Sequence, residues 1–111
     1  MKFIVTSIFI FCVPIAAFAG SSYTGKIKQV VCHVAETSPV CQVMPFGSVS
    51  NETCGTSGWK YTFDGTTAEG KNILSILLAA QVSQKTIVLG GLGRCTFGST
   101  TEDLRHAYIT E

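Results

Sequence analysis

The chain has no run of like charge. Its eight Lys and Arg are scattered among seven Asp and Glu, and with Lys2 set aside the two signs balance, which leaves no basic surface for nucleic acid or an anionic membrane. After residue 19 no apolar stretch approaches the roughly 20 residues that a membrane-spanning helix needs, so a span is not expected. Motif spacings are missing too: HExxH, GxSxG and CxxC are absent, which removes the usual zinc-protease, serine-hydrolase and dithiol readings. Gly90, Gly91 and Gly93 follow a strand pattern but precede no helix, so a strand bend is expected there rather than a phosphate loop. These absences point to a non-enzymatic chain with no cofactor and no metal.

What is present begins at the amino terminus. Lys2 supplies a charged start, residues 3–16 an apolar run, and Ala17-Phe18-Ala19 the small-x-small pattern that precedes a signal-peptidase cut. Residues 1–19 are therefore expected to be a signal peptide, and residues 20–111 a single secreted or periplasmic domain. Cys12 lies in the apolar run without the leucine-small-small context of a lipoprotein cysteine and goes with the leader. Cys32, Cys41, Cys54 and Cys95 remain, and an even thiol count in a short exported chain indicates two disulfides. Spacings of 9, 13 and 41 residues do not suit a zinc site. At roughly 2–4 kcal/mol each, two crosslinks would be a large share of the stability of so small a domain.

Residues 26–34 are β-rich, residues 36–39 form a polar turn, and residues 40–44 are a second short apolar run, together a hairpin. Cys32 and Cys41 sit symmetrically about that turn, which makes a cross-strand disulfide easy. Residues 45–58 are a Gly, Ser, Asn and Thr-rich connection. Trp59, Tyr61 and Phe63 then alternate with Lys60 and Thr62, the period of a half-buried strand. Thr66 and Glu69 have capping-box spacing ahead of a helix over residues 67–83. On it Ile73, Ile76, Leu77 and Ala80 form one apolar stripe, with Leu74, Leu78 and Val82 beside it. Strands are expected over residues 86–92 and 103–110. The result is a β-rich α+β order, with one helix between the third and fourth of five strands, as in an OB-fold-like barrel.

Tyr23-Thr24-Gly25, the stretch from His33 through Glu36 and Pro39 to Cys41, and the long helix before a strand resemble the B subunits of subtilase cytotoxin and the typhoid-toxin group. That resemblance implies a secreted five-stranded OB-fold subunit that assembles in rings of five and binds host sialylated glycans. Cys54-x4-Trp59, Leu77-Leu78-Ala79-Ala80-Gln81 and Gly91-Leu92-Gly93-Arg94-Cys95 followed by Glu102 are more closely similar to a group of uncharacterised small secreted bacterial proteins. The toxin subunits carry a sugar-contacting serine in the first strand, whereas this chain has Lys26-Ile27-Lys28-Gln29-Val30 there, so their sialic-acid site does not carry over. Nor does the sequence show their cysteine-bearing tail before Glu111. The toxin pattern implies Cys41 with Cys54 and Cys32 with Cys95, while the closer group implies Cys54 with Cys95. We expect Cys32–Cys41 and Cys54–Cys95.

The first functional reading is a non-enzymatic binding module for a host glycan or a protein surface, assembled as a homo-oligomeric ring. Its expected ligand residues are Arg94, Phe97, Ser99 and Thr100, in the last inter-strand loop where OB-folds commonly bind. Its expected interface is Leu74, Leu78 and Val82. The alternatives are an envelope-associated structural protein, and an inhibitor of a secreted enzyme using residues 45–58 as bait. His33 and His106 read as partly buried strand residues, and Trp59 as a core or rim aromatic. Asn51-Glu52-Thr53 matches the N-glycosylation pattern, a common chance match.

Overall fold

The computed structural model describes residues 20–34, 40–55, 58–98 and 100–110. These form six strands and one helix: β1 Ser22–Gly25, β2 Ile27–Cys32, β3 Val40–Pro45, β4 Tyr61–Asp64, α1 Ala68–Ser83, β5 Ile87–Gly91 and β6 Glu102–Ile109. The strands make one curled half-barrel sheet in the order β1-β5-β6-β4-β3-β2. All neighbours are antiparallel except β4 and β6, which run parallel and pair Tyr61 with Glu102 and Thr62 with Asp103.

The sequence predicts five strands, and the sixth arises at the start of the described chain. Lys26 alone separates β1, which pairs with β5, from β2, which pairs with β3. At Lys26 the chain leaves one partner for the other. Its carbonyl accepts from the Tyr23 hydroxyl at 2.6 Å and from the Phe46 amide at 3.2 Å instead of from a ladder. The carbonyl that a break would expose is thus satisfied.

In β3, read from the sequence as a short apolar run, burial alternates: Cys41, Val43 and Pro45 are buried, while Val40, Gln42 and Met44 are half-buried. In β4 the predicted alternation fails, because Thr62 is as buried as Tyr61 and Phe63. Both faces of β4 are covered, and the Thr62 hydroxyl donates to Thr101 Oγ1 at 2.6 Å, which satisfies its polar atom. Trp59 lies just before the strand and is half-buried, a rim aromatic.

The helix cap falls one residue beyond the predicted box. The Thr66 amide and hydroxyl both donate to Asp64 Oδ1, at 2.8 and 2.6 Å, so Thr66 is spent on a turn. Thr67 caps instead, its Oγ1 accepting from the Gly70 amide at 2.9 Å. At the other end Gln84 takes the left-handed conformation, while its amide donates to the Gln81 carbonyl and that of Lys85 to the Ala80 carbonyl. Leu77 and Ala80 are buried, Ile73, Ile76 and Leu74 pack at the edge of the core, and α1 lies against β2 and β6. Each fully buried Leu or Ile side chain contributes roughly 1.5–3 kcal/mol. Leu74 therefore belongs partly to the core, while Leu78 and Val82 are exposed.

The strand runs through Gly91, and the bend expected at its glycines is a register shift between Gly90 and Gly91. A side chain at Gly90 would strike the His106 ring, and one at Gly91 the Glu102 carboxylate. The glycines make room for two side chains of the neighbouring strand. His106 is exposed rather than partly buried, because it lies over Gly90 on the outer face, its ring centroid 5.8 Å from that of Tyr108. His33, just past the end of β2, is exposed as well.

Candidate functional site

Two disulfides tie the sheet together. Cys32–Cys41 joins directly opposed residues of β2 and β3, and Cys54–Cys95 links the segment before β4 to the segment after β5. Such crosslinks fit an oxidising, extracellular or periplasmic compartment. No helix among the described residues is long and apolar enough to cross a membrane.

Beside Cys95 the 92–101 segment is organised by two consecutive acids that open β6. Asp103 is buried. Its Oδ2 accepts from Arg94 Nε at 3.1 Å, its Oδ1 from the Thr96 amide at 2.9 Å, and its own amide donates to the Arg94 carbonyl at 2.8 Å. Glu102, 2% exposed, turns the other way. Its Oε2 accepts from the amides of Ser21 at 3.1 Å and Gly93 at 2.9 Å, and its Oε1 from the Thr53 hydroxyl at 2.8 Å. Above this lies Tyr61, fully buried, its hydroxyl sharing a 2.9 Å hydrogen bond with Ser21 Oγ. Burial pushes the Tyr61 phenol up to about 12, against the pull of the Ser21 bond and with further help from the Glu102 and Glu52 charges.

The loop so held forms one wall of an open cleft of about 490 Å3. Phe63, Leu104 and Ile73 contribute apolar surface. Asp64, Thr67 and Glu69 line the helix side, and Leu92, Arg94, Thr96 and Phe97 the loop side, with Asp103 and Arg105 of β6 between. Arg94 is anchored through Nε, yet its side chain is 68% exposed, and its guanidinium makes no further hydrogen bond among the described residues. Phe97 is exposed. The Asp64 carboxyl is held below the usual carboxylate range by the Thr66 hydroxyl and amide. Planar donors, fixed carboxylate acceptors and an aromatic edge around an apolar floor suit a polar ligand that both donates and accepts hydrogen bonds.

The structure thus brings together two of the four predicted ligand residues, Arg94 and Phe97. Thr100 is exposed and does not line the cleft, and Ser99 lies outside the described residues. Asp64, Glu69, Asp103 and Arg105 were not anticipated. The available signal was the pair Glu102-Asp103 at the start of a strand, an unusual place for two acids unless loop amides need acceptors. The histidines do not converge, since β4 and β3 lie between β6 and β2 in the sheet. Among the described residues no group of three or more His, Cys, Asp or Glu is placed to hold a metal ion. No family model, no curated protein and no solved structure matches this chain.

Proposed function

We propose that the chain is a secreted or periplasmic, non-enzymatic binding module, built on an OB-fold barrel and resembling toxin B subunits, that takes a glycan or a polar protein surface in the cleft beside the 92–101 loop. The barrel reading is supported by β1 and β2 acting as two halves of one bent strand, each pairing with an opposite edge of the remaining sheet, and by the parallel β4–β6 pair. The observation that carries the binding role is the placement of Arg94 and Phe97 on one cleft wall, in a loop fixed covalently at Cys95 and electrostatically at Asp103. Preformed loops of this kind lose little conformational entropy when they bind. The exposed Leu78 and Val82 support a ring contact through α1.

The test is a glycan array followed by titration with whatever binds. Arg94→Ala and Phe97→Ala should each weaken binding by about 10-fold or more, the loss of one charge-assisted or aromatic contact. Lys60→Ala should not, because Lys60 pairs with Glu52 at 2.7 Å and does not line the cleft. Unchanged affinity in both loop variants removes this site, and a blank array removes the lectin reading. An inhibitor role has one observation in its favour, Phe46, which is 60% exposed at the start of the connection that contains Cys54. Slowed turnover of a secreted protease in its presence, abolished by Phe46→Ala, would favour that reading.

A further inference from the structure

Glu102 accepts three hydrogen bonds from neutral donors, although a carboxylate offers about four acceptor positions. It is nearly inaccessible to water, and among the described residues no Lys, Arg or His pairs with it. A buried carboxylate without a cation is costly unless something supplies one. The residue against it is Gly20, the first residue after the expected leader. A Cβ built on Gly20 would lie 3.0 Å from Glu102 Oε2, while colliding with the Gly91 carbonyl. The α-nitrogen of Gly20 is bonded to the same Cα, and the next amide along, that of Ser21, already donates to Oε2. Ser21 in turn is locked in place, its carbonyl accepting from the Gly91 amide at 2.9 Å and its hydroxyl bonded to Tyr61.

We infer that removal of the leader supplies the missing cation: cutting between Ala19 and Gly20 frees an α-ammonium at Gly20 that pairs with buried Glu102 and completes the fold. This rests on the secreted reading, which provides the endopeptidase of the signal-peptidase class. In the step, water adds across the Ala19–Gly20 amide. The carbonyl carbon of Ala19 takes the oxygen and leaves as a carboxylate, and the Gly20 nitrogen, protonated at neutral pH, becomes the ammonium. Before the cut that nitrogen is an uncharged amide, and Glu102 has no counter-charge among the described residues. Position 20 is then glycine for a reason, since a side chain there would strike the Gly91 carbonyl. The other titratable groups nearby are Tyr61, reached through the Ser21 hydroxyl, and Glu52, already paired with Lys60.

The experiment is to express the full chain with its own leader, recover the exported protein labelled with 13C and 15N, map its amino terminus by mass spectrometry, and follow the Gly20 Cα shift from about pH 6 to about pH 11. We expect a terminus at Gly20 and an α-amino group titrating about one unit or more above its ordinary 7.7–8.0. In Glu102→Gln the titration should return to the ordinary value. In Thr53→Val, which removes a neutral donor from the same carboxylate, it should stay raised. The wild-type titration needs no variant to fold. A terminus elsewhere overturns the leader reading and with it the role of processing. A terminus at Gly20 whose amine titrates in the ordinary range overturns the ion pair and leaves the leader reading standing.

Discussion

Tyr61 offers a sharp test of the buried polar cluster, because its proton is held by burial and not by any loop that could adjust. Its side chain is fully buried and its phenol is pushed up to about 12 from the ordinary 10.0. Below pH 10 folded and unfolded chains both keep the proton, so the stabilisation is complete there. Between about pH 10 and about pH 12 the unfolded chain releases it and the folded chain does not, so stability falls, by at most about 2–3 kcal/mol for a shift of that size. Tyr61→Phe supplies the reference. At neutral pH it should be less stable by about 1–2 kcal/mol, since the Ser21 hydroxyl, itself buried, loses its partner. It has no phenol to titrate, however, so the gap should narrow above pH 10 and close or reverse toward pH 12. Urea unfolding of both proteins across that range measures the gap, and the tyrosinate absorbance that Tyr61→Phe removes should appear near pH 12. Parallel stability curves for the two proteins, or a Tyr61 tyrosinate already formed near pH 10, would refute the reasoning.

Other outcomes follow from the same structure. Replacing Cys54 and Cys95 by Ala should cost about 4 kcal/mol and replacing Cys32 and Cys41 about 2.6 kcal/mol, the loop-closure values for separations of 41 and 9 residues; thermal unfolding of the two double variants ranks them, and only the first should also weaken binding in the cleft. Leu78→Glu, at a site 43% exposed, should lower the mass seen by light scattering while shifting the unfolding midpoint little; unfolding instead would mean that Leu78 is core. Asp64→Asn should flatten the acid limb of the stability curve: the Asp64 carboxyl is held low by Thr66, so its stabilisation is present above the unfolded value and lost as pH falls through the folded one. Acid titration of the variant against the parent checks it.

How much of this was legible in the sequence depended on whether a residue's environment was set by its neighbours in the chain. The apolar run of β3 and the apolar stripe of α1 are local patterns, and both are found where they were expected. So is Cys32–Cys41, which joins opposed residues of β2 and β3. β1 has only Tyr23 as a buried side chain, since its residues Ser22–Gly25 are exposed or half-buried apart from it, too little apolar periodicity to announce a strand. Its existence depends on β5, more than sixty residues away. The helix cap shifted from Thr66 to Thr67 because Asp64 competes for the first hydroxyl, although only Thr66 has a glutamate three residues on.

The cleft was half legible for a physical reason that its two acids make explicit. Arg94 and Phe97 stood out as a cation and an aromatic in a hydroxyl-rich loop, but what positions them is β6, a different element. Glu102 and Asp103 occupy consecutive positions on a strand and so face opposite sides. One collects amides from the amino-terminal segment and from Gly93, the other collects Arg94 and Thr96. A single peptide unit thereby holds the segment after β5 at three residues, Gly93 and Arg94 each nine back from their acid and Thr96 seven back, with Cys54–Cys95 fixing Cys95 between them. Either acid matters more to the shape of the cleft wall than a residue exposed on it, because losing a buried acceptor frees two or three donors at once, whereas losing an exposed side chain removes one contact.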